Sequence, residues 1–216
     1  MRVVYIGGFG NGRSSAEQVA SALQEYYDDV DVFTFSEAIS RPNTVARAVE
    51  SVDTITHSAG MLALAGTVPE RISAFGAPLP TAKALLVART VLKTVRMHTP
   101  GIGIQRVQDI TAIAGYDASA AGELVAHPGR NLGHLGQISR FDAVKAAVAA
   151  RRSSSRIPTS LYYTKGDEYF QPSQAQLVAA EAGDVNVLSL PGIHDELIIR
   201  PAETLHAAFE HRNAAA

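Results

Sequence analysis

The chain contains no cysteine. Structural disulfides, thiolate metal sites and a cysteine nucleophile are therefore excluded. Long apolar runs are missing too. The N-terminal run Met1-Arg2-Val3-Val4-Tyr5-Ile6 is interrupted by Gly7, which leaves it too short for the apolar segment of a secretory signal. No run approaches the ~18 residues needed to cross a bilayer. Basic blocks are absent and the formal net charge is −2, which argues against a dedicated nucleic-acid binder. There is no internal repeat and no low-complexity tract. What remains is globular material: 216 residues, 46% hydrophobic and 19% charged, enough for one domain with a sizeable core. The expectation is a soluble, cytoplasmic protein with no nucleic-acid partner and no stable membrane insertion.

Along the chain, strand and helix patterns alternate. Val3–Ile6 is a short continuous apolar run, as a strand buried on both faces requires. The turn Gly7-Gly8-Phe9-Gly10-Asn11-Gly12 follows, then a helix capped by Ser14 or Ser15 with Val19, Ala20 and Leu23 on its apolar stripe. Strands are predicted at Val30–Thr34, Asp53–His57, Arg71–Phe75, Ser160–Thr164 and Val185–Leu190. Helices are predicted at Asn43–Val49, Met61–Ala65, Gln174–Ala182 and from Pro201 to Phe209. Such alternation predicts an α/β fold, a doubly wound, mostly parallel six-stranded sheet. The stretch 77–157 has another texture. It reads as a helical cap, opening with an amphipathic helix over Thr81–His98 and closing with one from Ser139 or Arg140 to Arg151. The expected organisation is a core of 1–76 and 158–213, a cap insertion at 77–157, and a frayed tail at 214–216.

Open parallel sheets carry their sites in loops at the strand C-terminal ends. One such loop holds Thr56-His57-Ser58-Ala59-Gly60, a serine between a strand and a helix with small residues two positions to either side. A serine hydroxyl is a weak nucleophile that needs a base, and the base needs an orienting carboxylate. Asp167 and His194 each follow a predicted strand, so Ser58, Asp167 and His194 can converge at one sheet edge. Glu168 and Asp195 are competitors for the acid, and Asp142 lies in the cap. The tetrahedral intermediate also needs aimed backbone N–H groups. Ala59 at a helix start offers one, and Phe9 or its neighbours in the glycine loop offer another.

These patterns together resemble the α/β-hydrolase fold family. Thr56-His57-Ser58-Ala59-Gly60 resembles the nucleophile elbow Gly-x-Ser-x-Gly. Gly7-Gly8-Phe9-Gly10-Asn11 resembles the oxyanion loop, Lys165-Gly166-Asp167 the acid loop, and Pro191-Gly192-Ile193-His194 the histidine loop. Thr56 stands where the pattern has its first glycine, and Gly7 where it has a histidine. The resemblance implies strands three to eight of the family fold and a lid at 77–157. It implies backbone oxyanion donors at Phe9 and Ala59, and no metal or organic cofactor. The function it implies is a serine carboxylesterase acting on a small to medium acyl ester through an acyl-enzyme on Ser58.

His57 reads as a pocket or packing residue on the far side of the turn, and Gly8 and His134 as further candidates for the substrate pocket. The remaining histidines show no metal-ligand spacing with acids. Two other classes stay open. One is a non-catalytic binding protein of the same fold. The other is an NAD(P)-binding oxidoreductase, but Gly8-x-Gly10 is followed by Arg13 where the dinucleotide fingerprint needs glycine.

Overall fold

The computed structural model describes residues 1–9, 11–77, 79, 143–167, 176–177, 180–181 and 185–214. Six strands form one sheet: β1 (Arg2–Ile6), β2 (Asp29–Phe33), β3 (Asp53–His57), β4 (Arg71–Phe75), β5 (Thr159–Gly166) and β6 (Val185–Ile193). Their order is β2-β1-β3-β4-β5-β6, and every neighbouring pair is parallel. All six C-terminal ends therefore open on the same edge.

Alternate strand residues face opposite sides, and each side meets its own helices. Val4, Ile6, Ile72, Ala74 and Leu161 pack with Val45 and Val49 of α3 (Pro42–Val49) and Ala150 of α4 (Ala143–Ser154). Met61 and Leu64 of a 3₁₀ helix (Ser58–Leu64) join them. Val3, Tyr5, Ile55, Phe75 and Tyr162 pack with Val19 and Leu23 of α1 (Arg13–Leu23) and with Leu205 and Phe209 of α5 (Pro201–Ala214). Val3, Val4, Tyr5 and Ile6 are all fully buried, as a central parallel strand demands. Each such side chain contributes about 1.5–3 kcal/mol by leaving water.

Several local expectations need correction. The segment after β3 is a 3₁₀ helix that begins at Ser58 itself, not an α-helix beginning at Met61. α1 starts at Arg13, so Gly12 is its N-cap and no side chain caps it. Ser14 and Ser15 lie inside the helix. α2 (Phe35–Ser40) was not anticipated. It is nucleated by a capping box, in which Glu37 N–H donates to Thr34 Oγ1 at 3.2 Å and Thr34 N–H to Glu37 Oε2 at 2.9 Å. β6 runs past Pro191 to Ile193, which an edge strand tolerates because it need not donate every N–H. α4 covers 143–154 and packs on the core, with Ala146 and Ala150 buried. The predicted helix over Thr81–His98 lies outside the described residues, and the predicted 174–182 helix falls there in large part. Among the described residues, no helix is long and apolar enough to cross a membrane.

Candidate active site

The turn after β3 shows why small residues occupy this sequence. Ser58 has φ 49°, in the left-handed region. Among the described non-glycine residues only Ser51 shares that sign, and such a conformation costs a residue with a Cβ about 1–3 kcal/mol. The serine is buried at 5% exposure. Two residues on, a Cβ at Gly60 would stand 2.5 Å from the Ile6 carbonyl oxygen and 2.8 Å from that of Gly7. Only glycine lets the turn lie so close to the end of β1. Thr56, where the family pattern has glycine, is accommodated inside the core, with its hydroxyl 3.9 Å from Met61 Sδ.

The loop after β1 comes up against the same turn. A Cβ on Gly8 would lie 2.8 Å from Ser58 Cβ and 2.9 Å from His57 Nδ1. Gly8 thus touches both residues. Phe9 follows it and packs edge-on against Phe35, with ring centroids 6.0 Å apart. Ala59 is fully buried within the 3₁₀ helix.

Beyond β5 and β6, His194 Nδ1 lies 2.9 Å from Asp167 Oδ2, and both side chains are buried, at 7% and 1% exposure. Among the described residues, Asp167 is thus the carboxylate that meets this ring. Asp195 instead directs Oδ1 towards His57 Nε2, at 3.6 Å. Glu168, Asp142 and His134 lie outside the described residues. Gly76, just past β4, completes the wall. A Cβ there would meet His194 Cε1 at 2.7 Å and Asp167 Oδ2 at 3.4 Å.

His57 does not turn away from the site. Its ring sits 5.2 Å from that of His194, centroid to centroid. Nδ1 is 2.8 Å from Asn11 Nδ2, and Nε2 is 3.2 Å from the His194 carbonyl oxygen. Burial, then the neighbouring His194, pushes its pKa from 6.5 down to about 4. Sequence reasoning missed Asn11 and Gly76 as neighbours of the site. The available signals were a polar side chain in a glycine loop and a glycine at a strand's C-terminal end.

His57, His194 and Asp195 bring ligand atoms within 4.8 Å of one another. They could in principle surround a cation. In the geometry present, however, His57 Nε2 is engaged with a carbonyl and His194 Nδ1 with a carboxylate.

No protein-family model and no curated protein matches the chain. Solved structures do. A monoacylglycerol lipase from Paleococcus ferrophilus is 14% identical, with TM-score 0.54, covering 96% of this chain and 91% of the lipase. The enol-lactonase of Burkholderia xenovorans LB400 is 13% identical, with TM-score 0.51 over 97% of this chain and 90% of that one. The N-formylmaleamic acid deformylase of Pseudomonas putida S16 is also 13% identical, with TM-score 0.52 over 96% and 91%. All three are proteins of the α/β-hydrolase fold. The chain has the α/β-hydrolase fold.

Proposed function

We propose that the protein is a serine hydrolase acting on carboxylic esters of small to medium acyl groups through an acyl-enzyme on Ser58. The observation that carries this reading is the buried His194–Asp167 pair, at the sheet edge where Ser58 sits in a left-handed turn. In the proposed reaction, His194 Nε2 takes the hydroxyl proton as Ser58 Oγ bonds to the acyl carbon. The Phe9 and Ala59 backbone N–H groups receive the oxyanion. Collapse breaks the ester C–O bond, and His194 returns the proton to the departing alkoxide. Water, deprotonated by the same imidazole, then attacks the acyl-enzyme and regenerates Ser58. Asp167 orients the ring and stabilises the imidazolium. No step calls for a metal or an organic cofactor.

The similar structures include a lipase, an enol-lactonase and a deformylase, so the fold leaves the substrate open. The ester assignment is the simplest use of such a triad, with the insertion at 77–157 as lid and His134 as a further pocket residue. The test is a fluorophosphonate probe followed by peptide mapping. The expected adduct is on Ser58, lost in Ser58→Ala and greatly slowed in His194→Ala. A folded wild type that takes no label would instead indicate a non-catalytic binding protein.

A further inference from the structure

We propose that His57 is a positioning residue, a neutral imidazole that ties the loop after β1 to the backbone of His194 and so holds nucleophile, oxyanion donors and base in register. The proposal rests on the serine-hydrolase reading above. It also adds a role for a residue that such a triad does not require.

Both ring nitrogens of His57 are engaged, each by a different loop. Asn11, 46 residues upstream, meets Nδ1 at 2.8 Å, and the His194 carbonyl, 137 residues downstream, meets Nε2 at 3.2 Å. A carbonyl only accepts, so Nε2 must carry the proton. Nδ1 is then bare and can only accept, which suits the amide N–H of Asn11. The two contacts together specify one tautomer and zero charge. An imidazolium would have to donate from Nδ1 as well, and would face the Asn11 amide hydrogens.

Neutrality matters for the neighbouring ring. The base becomes a cation during the reaction, and a second cation with its ring 5.2 Å away would oppose that. Asp195 Oδ1, 3.6 Å from Nε2, is the other charged group facing His57. Asp167 is engaged by His194. The space for the ring is reserved by Gly8, where a Cβ would stand 2.9 Å from Nδ1. Because His57 directly precedes Ser58, a shift at either contact is transmitted to the nucleophile and to the backbone of its base. Displacements of about 1 Å at a reacting centre cost roughly 10²-fold in rate.

A space-filling role would be met by any apolar ring, so three replacements separate the readings. His57→Phe fills the volume and makes neither bond. His57→Gln keeps a donor for the His194 carbonyl, and His57→Asn keeps an acceptor for Asn11. We expect His57→Phe to lower kcat, and the rate of fluorophosphonate labelling, by about 10²-fold with little change in KM. His57→Gln should recover most of that loss. Asn11→Ala added to His57→Phe should lower the rate little further, because both remove the same bond.

A long-range ¹⁵N–¹H spectrum of the wild-type protein provides a readout independent of turnover, with Nε2 of His57 expected protonated and Nδ1 bare. The opposite tautomer overturns the proposal. So does a folded His57→Phe that labels at the wild-type rate, or a double variant whose losses multiply. A wild type that takes no label overturns the hydrolase reading and the catalytic part of this one together. A wild type that labels, beside an equally fast His57→Phe, overturns only the role of His57.

Discussion

Gly76 leaves free the space that the His194 ring occupies and that any larger residue would fill. A Cβ on Gly76 would stand 2.7 Å from Cε1 and 2.8 Å from Nδ1 of the imidazole. The Cβ position is fixed by the backbone, so it is the imidazole that must yield. The glycine also has φ +56°, which a larger residue enters at a cost of about 1–3 kcal/mol.

Gly76→Ala is therefore expected to push the ring away from Asp167 and to reduce kcat/KM by about 10²-fold. Stability should fall by a comparatively modest amount, near the backbone cost. Ester hydrolysis and a urea melt on the same preparation check both halves. Wild-type turnover in the alanine variant would show that the ring is held elsewhere.

Ser58 gives a prediction of opposite sign for stability. Its left-handed backbone, φ 49°, is unfavourable for alanine and serine alike but not for glycine. That relief, about 1–2 kcal/mol, is partly offset by the greater freedom of glycine in the unfolded chain, about 0.5–1 kcal/mol. Ser58→Gly should therefore be more stable than Ser58→Ala by about 1 kcal/mol, while both fail to take the probe. Differential scanning of the two variants side by side measures the difference. Equal melting points would mean that the turn relaxes when the hydroxyl is gone.

How far the sequence leads is visible in these same residues. The six strands and their alternation with helices were legible because parallel strands buried on both faces leave continuous apolar runs such as Val3–Ile6. Asp167 and His194 could be singled out because each follows a strand, and strand C-terminal ends share one edge. Contacts made by chain crossing were not legible. Nothing local in Thr56-His57-Ser58 says that the imidazole reaches Asn11 and the His194 carbonyl, since both partners depend on how three loops close. Gly76 was hidden for the same reason. The unanticipated α2 is a different kind of miss, because Thr34-x-x-Glu37 is a capping signature present in plain sequence. The 3₁₀ winding after Ser58 accompanies the close approach of Gly60 to the end of β1, a distance that periodicity does not encode.

Two glycines of similar appearance should respond oppositely to added side chains. At Gly60 a Cβ meets backbone oxygens at 2.5 and 2.8 Å, and neither oxygen can yield without moving β1. Gly60→Ala should cost about 1–3 kcal/mol or more. At Gly12 a Cβ meets nothing within 4 Å, and the residue is an extended N-cap with no side-chain hydrogen bond. Gly12→Ser supplies the missing acceptor and should add about 0.3 kcal/mol. Urea midpoints of both variants decide the matter. A destabilised Gly12→Ser would mean that the new hydroxyl fails to reach the N–H groups of α1.

Acid should weaken the fold through His57. Burial and the neighbouring His194 hold this imidazole neutral, with its pKa down at about 4 against 6.5 in the unfolded chain. Above about 6.5 neither state carries the proton, and the stability linked to this group is fully present. Between about 6.5 and about 4 the unfolded chain binds a proton that the folded chain refuses, so stability falls as the pH drops, by up to about 1.4 kcal/mol per unit. His57→Gln removes the titrating group. Losing a contact lowers its stability at every pH by a similar amount, but the slope in that window should flatten. Unfolding free energies of both proteins across the window, referenced to neutral pH, provide the measurement. Parallel curves would mean that the acid response belongs to other groups and that His57 is not held neutral by its surroundings.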